Sequence, residues 1–79
     1  MITFKQALNK AREFYSPLQV SRCTELDNSW IFSFKYSNGL PAFGVDCVRV
    51  MKSNGEIFSW NTMNNYEEYQ KRFLRKIEI

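Results

Sequence analysis

The chain contains no histidine, and so lacks the commonest general base and the commonest neutral metal ligand. Its two cysteines, Cys23 and Cys47, are too few and too widely spaced for a zinc site, which takes four ligands in close pairs. The three glycines, Gly39, Gly44 and Gly55, form no phosphate-cradling loop. No stretch approaches the roughly 18 apolar residues of a membrane span, and the opening Met1–Ala7 has no apolar core of a secretory leader. A cysteine nucleophile needs an activating base, and none is apparent. Carboxylate chemistry at Asp46 and Glu56 is conceivable, with nothing beside them to support it. The reading is therefore no enzyme, no cofactor, no metal and no membrane. Two thiols outside any secretory context are expected to be free and reduced, in a cytoplasm.

What is present is compact. Seventy-nine residues make a single domain, 1–79, and a domain this small buries only about 60–65% of its unfolded surface. Seven Phe, four Tyr and two Trp are many to hide in so small an interior, so some should lie at an interface. The net charge of +3, from 11 basic and 8 acidic residues, is well short of a nucleic-acid footprint. Lys71, Arg72, Arg75 and Lys76 form the one basic cluster. At the end of a helix such cations meet the partial negative charge of its terminal carbonyls; an anion or nucleic-acid patch is the other reading.

Thr3 and Gln6 stand at capping-box spacing, with apolar Ile2 ahead of them. Phe4, Ala7, Leu8, Ala11, Phe14 and Tyr15 recur at helical intervals, which predicts an amphipathic helix over 4–15 that Pro17 ends. A weaker strand is expected over 18–26 and a turn at Asp27-Asn28-Ser29. The clearest strand spans 30–36, with Trp30, Phe32, Phe34 and Tyr36 on one face and Ile31, Ser33 and Lys35 on the other. That aromatic face serves as core beneath a helix, or as a base-stacking platform. A loop follows at Ser37–Pro41. A last helix is predicted with Asn64 or Asn65 as its N-cap and Glu67 or Glu68 at the capping-box offset, and with Tyr66, Tyr69, Phe73, Leu74 and Ile77 as its buried stripe.

Between loop and helix, Gly44–Asn61 reads as a β-hairpin around Asn54-Gly55, a pair suited to a two-residue type I′ turn. This turn sets Met51 opposite Phe58, Val50 opposite Ser59 and Arg49 opposite Trp60. Val48, Val50 and Ile57 then share one face; Cys47, Arg49, Met51, Phe58 and Trp60 share the other. The expected fold is α+β: an N-terminal helix, a three- to four-stranded antiparallel sheet and a C-terminal helix, both helices on one sheet face. Leu8, Ala11, Phe32, Phe34, Val48, Val50, Tyr69 and Phe73 are the expected core.

With the helices on the β-branched face, Arg49, Met51, Phe58 and Trp60 become a partly exposed contact patch, Arg49 stacking on Trp60. Trp, Arg and Met are enriched at protein interfaces. The alternative is that this face is the true core, with Arg49 reaching to its margin.

Several segments resemble the small bacterial immunity proteins with the YrhB-like domain, immunity protein family thirty-five. They are the opening Met-Ile-Thr-Phe-Lys-Gln-Ala-Leu, the aromatic Trp30-Ile-Phe-Ser-Phe, the hairpin Val48-Arg-Val-Met-Lys-Ser-Asn-Gly-Glu-Ile and the terminal Tyr66-Glu-Glu-Tyr. The resemblance implies a protein that binds and neutralises a cognate toxin or effector by stoichiometric contact inside a bacterial cell. A homodimeric structural or chaperone-like module is the alternative, and a nucleic-acid-binding domain ranks below both.

Overall fold

The computed structural model describes residues 1–40 and 45–78; Pro41 of the expected loop and Gly44 of the expected hairpin lie outside them. Helix α1 (Phe4–Phe14) opens with the capping box read from the sequence. Gln6 N–H donates to Thr3 Oγ1 at 3.2 Å and Thr3 N–H donates to Gln6 Oε1 at 2.9 Å. Strands β1 (Gln19–Leu26), β2 (Ser29–Lys35), β3 (Cys47–Met51) and β4 (Ile57–Trp60) follow. A 3₁₀ turn (Met63–Asn65) leads into helix α2 (Tyr66–Arg72) and strand β5 (Phe73–Ile77). The fold is α+β, with a five-stranded antiparallel sheet in the order β4-β3-β2-β1-β5.

The additional strand comes from the segment expected to finish the last helix. Phe73 turns to φ −59°, ψ 128°, which is extended backbone. The chain then pairs with the outer edge of β1, setting Ile77 opposite Cys23, Lys76 opposite Thr24 and Arg75 opposite Glu25. An unpaired edge on β1 would leave a row of backbone donors and acceptors without partners. Phe-Leu-Arg-Lys-Ile supplies β-compatible side chains to fill it. The basic cluster is consequently divided: Lys71 and Arg72 close α2, whereas Arg75 and Lys76 lie on an edge strand.

The two helices lie over opposite sheet faces, which corrects the expectation that they share one. On the first face Trp30, Phe32, Phe34, Val48 and Val50 pack with Ala7 and Ala11 of α1, flanked by Phe4, Leu8 and Ile57. Phe4 stacks on Phe32 with ring centroids 6.1 Å apart, so α1 roofs Trp30, Phe32 and Phe34 and removes them as a base-stacking platform, while Tyr36 past the strand's end is exposed. On the second face Leu26, Ile31 and Trp60 pack with Cys47, Phe58 and Tyr69 of α2. The reason is area. Helix α1 occupies the first face, and a second apolar set around Trp60 still needs cover. Of the expected core, Leu8 and Tyr69 are half-buried and Phe73 is exposed.

The hairpin forms with a register two residues from the expected one: Arg49 faces Phe58 and Cys47 faces Trp60. Met51 N–H donates to the Glu56 carbonyl and Gly55 N–H to the Met51 carbonyl, each at 2.9 Å. The connection is therefore Lys52–Gly55, with positive φ at Gly55 alone (+74°). A Cβ at Gly55 would lie 3.1 Å from Ile2 Cγ2 and 3.2 Å from Lys10 Cε, so a side chain at this positive φ would be strained and would press on α1 and its entry. A slip of two residues keeps every side chain on its face, and the face assignments hold.

Candidate protein-binding surface

The four residues singled out, Arg49, Met51, Phe58 and Trp60, share the second face, but α2 covers the pair that was to be the anchor. Arg49 is 6% exposed and Trp60 7%; Met51 and Phe58 are half-buried. The cation–π stacking is present, with the guanidinium carbon 5.1 Å from the Trp60 ring centroid. It lies inside the protein, so the expected exposed Arg–Trp patch is not there to be touched.

Arg49 instead fastens four elements together. Its Nε donates to Ser29 Oγ at 2.9 Å and its Nη2 to Asn28 Oδ1 at 3.1 Å. Its Nη1 pairs with Glu68 of α2, and its ring partner is on β4. Ser29 is fully buried and its hydroxyl donates in turn to Asn28 Oδ1 at 2.9 Å. Each of the three guanidinium nitrogens donates a hydrogen bond, as burial of a cation requires. Asn28, Ser29 and Glu68 were not singled out from the sequence. The available signal was an arginine amid an apolar strand face, which must find several acceptors.

What α2 leaves uncovered lies toward the C-terminus. Trp60 stacks toward Tyr69, with centroids 6.4 Å apart. Tyr69 in turn meets Tyr66 at 6.3 Å and Phe73 at 5.9 Å. The chain of rings runs from the core to the surface. Tyr66 is 54% exposed and Leu74 55%, with Phe73 and Met63 exposed beside them. Half of the large apolar side chains exposed among the described residues therefore fall within 63–74. Met63 and Tyr66 line one shallow groove and Tyr69 joins Tyr66 to Phe73, with Leu74 next in the chain; exposed apolar side chains brought together in this way mark a contact surface.

Beside this surface a cleft of about 540 Å³ opens on the uncovered half of the second face. Arg22, Thr24, Ser33, Cys47, Tyr69 and Lys76 contribute to its walls. Hydroxyls and the cations Arg22 and Lys76 share its lining with apolar Ile31 and Ile77. Cys47 and Ser33 lie 3.4 Å apart, Sγ to Oγ.

Both thiols are free. Cys23 pairs across β1–β2 with Phe32 on the first face, whereas Cys47 belongs to the second, so the sheet itself separates them. Burial, with a smaller contribution from the Glu25 charge, pushes the Cys23 thiol up to about 12. A disulfide-exchange reagent at pH 8 is expected to titrate one thiol, Cys47, in the native protein and two after denaturation. Two fast thiols in the native state would contradict the burial of Cys23.

Glu25 is held below its ordinary 4.5 by hydrogen bonds from Lys52 (Nζ–Oε2 2.7 Å) and Arg75 (Nε–Oε1 2.7 Å). A carboxyl lowered on folding stabilises the native state above its unfolded pKa, and that stabilisation is lost as pH falls through the native value. Stability should therefore decline as pH drops below about 4.5. Glu25→Gln should flatten this decline; urea midpoints measured between pH 6 and pH 3 check it, and parallel pH profiles would refute it.

No helix among the described residues is long and apolar enough to cross a membrane. Comparison with protein-family models, curated proteins and solved structures finds no match for this chain.

Proposed function

We propose that this protein acts by stoichiometric, non-covalent binding of a protein partner, without catalysis, and that the partner is a bacterial toxin or effector that it neutralises in the cytoplasm. The observation that carries the binding reading is the exposed apolar surface of Met63, Tyr66, Phe73 and Leu74 around α2 and β5. Interface hot spots draw on large side chains of this kind that a rigid scaffold holds in place. Here the scaffold is the ring series from Trp60 through Tyr69. The absence of histidine from the chain favours binding over acid–base chemistry. The choice of toxin as partner rests on the resemblance of the opening helix, aromatic strand, hairpin and Tyr66-Glu-Glu-Tyr segment to immunity proteins. Two free thiols accord with a reducing compartment.

The test is coexpression with the product of the neighbouring gene, followed by gel filtration and calorimetry. A one-to-one complex is expected. The Tyr66→Ala/Leu74→Ala double variant, altered at exposed positions, should keep its thermal transition and lose about 2 kcal/mol or more of binding. Unchanged affinity in that variant would remove this surface from the reading. A self-associated dimer that ignores the gene product would favour the homodimeric alternative instead.

A further inference from the structure

We propose that the outer edge of β5 receives an extended acidic segment of the protein partner as a sixth strand, with Arg22 and Lys76 taking its carboxylates. This rests on the protein-binding reading above and specifies the partner's chemistry. Strand β5 ends the sheet order, so one side of its backbone pairs with β1 and the other faces outward. Its first four side chains are exposed. An open edge of this kind accepts a strand through main-chain hydrogen bonds, while side-chain contacts set the sequence preference.

Charge decides which strand. Lys76 stands opposite Thr24, and Arg22 lies two residues before Thr24 on the same strand. Arg22 and Lys76 are therefore diagonal neighbours on one face, and both line the cleft. Among the described residues Arg49, Lys52, Arg72 and Arg75 each hold a carboxylate. Among the described residues Arg22 and Lys76 hold none; Lys5, Lys10, Arg12, Lys35 and Lys71 hold none either, but of these seven only Arg22 and Lys76 line the cleft. Thr24, opposite Lys76, adds a hydroxyl to the same wall of the cleft, and among the described residues Glu78 is the one carboxylate lining it.

A second copy of this chain fits the edge poorly. Antiparallel self-pairing about the middle of Phe73–Ile77 would set Arg75 against Arg75, and like charges directly opposite destabilise a strand pair. Lysine on an edge strand is a recognised guard against such self-pairing. An acidic strand turns the same charges into attraction, which also speeds encounter.

The experiment titrates the isotope-labelled full chain with a seven-residue peptide, Val-Glu-Val-Asp-Val-Glu-Val with blocked ends, and with its Gln/Asn counterpart, following backbone amides by NMR. Saturable shifts at residues 74–78 and at Arg22, seen with the acidic peptide only, are expected. Arg22→Glu/Lys76→Glu should weaken binding about tenfold or more, and Glu78→Gln should tighten it by about twofold, following the sign of the charge removed. All three positions are exposed, and dispersion of the spectra reports that the variants stay folded. Equal binding of the uncharged peptide, shifts located elsewhere, no saturation, or preference for a single-stranded oligonucleotide of equal charge would overturn the proposal. If the peptide fails while Tyr66→Ala/Leu74→Ala still weakens the gene-product complex, only this inference falls. If that complex ignores the double variant, the binding surface itself falls.

Discussion

Trp60→Ala is expected to lower the free energy of unfolding by about 3–5 kcal/mol, the range for removing a large aromatic from a packed interior. Trp60 is 7% exposed between Ile31, Leu26 and Tyr69. It also carries the Arg49 guanidinium on its ring at 5.1 Å. Truncation removes the centre of the second core and leaves α2 with Tyr69 over a void. Small domains are stable by roughly 5–15 kcal/mol, so this one change should take a 79-residue chain toward the edge of unfolding. Urea unfolding followed by far-UV circular dichroism measures the loss. Trp60→Phe, which keeps a ring against Tyr69, should recover much of it. A near-native midpoint for Trp60→Ala would mean that the residue is surface, as the contact-patch reading required.

Arg49→Ala should be the second large loss, about 2–4 kcal/mol. The change removes hydrogen bonds to Ser29, Asn28 and Glu68 together with the stacking on Trp60. Its weight falls on the buried end. Ser29 is fully buried and loses the donor that faces its hydroxyl, whereas the Glu68 side chain is 45% exposed and regains water. Glu68→Ala should accordingly lose within about 1 kcal/mol, as exposed ion pairs do. Arg49→Lys should not restore stability, because one ammonium cannot span acceptors on three elements. Chemical denaturation of the three variants gives the ranking. Equal losses for Arg49→Ala and Glu68→Ala would place the stabilisation in the ion pair and not in the Asn28–Ser29 turn.

The two losses share a cause that bears on function. The residues with the strongest interface character in the sequence, an arginine and a tryptophan on one strand face, are the ones that fasten α2 to the sheet. The surface left for a partner is built from what they hold in place: Tyr66 and Phe73 sit at the end of the ring series that begins at Trp60, and exposed Leu74 follows Phe73 in the chain. A variant at Trp60 would therefore weaken binding by disordering α2, which is why the exposed pair Tyr66 and Leu74 is the better probe of contact.

Local chemistry determined much of this fold. Thr3 and Gln6 begin α1 because their side chains answer backbone groups three residues away, and no distant residue is needed for that. Trp30, Phe32 and Phe34 declare a strand and its buried face through period two alone. The faces of β3 and β4 were legible even though the turn type was not. A glycine at positive φ fits several turn types, and a two-residue difference in register leaves the side-chain alternation intact.

The tertiary structure decided the rest, and in each instance the deciding group is distant in sequence. Phe73–Ile77 suits a helix or a strand by its own pattern; the open edge of β1, some fifty residues earlier, makes it β5. The placement of α2 depends on which sheet face still has apolar area uncovered after α1 has packed, a quantity no local window contains. Arg49 was identified, but its role turned on Asn28, Ser29 and Glu68, which meet it only when three strands and a helix have assembled. Periodicity reports which face a side chain takes, because that is a property of the backbone. What covers the face is set by competition among segments for one small interior, and only the folded chain resolves it.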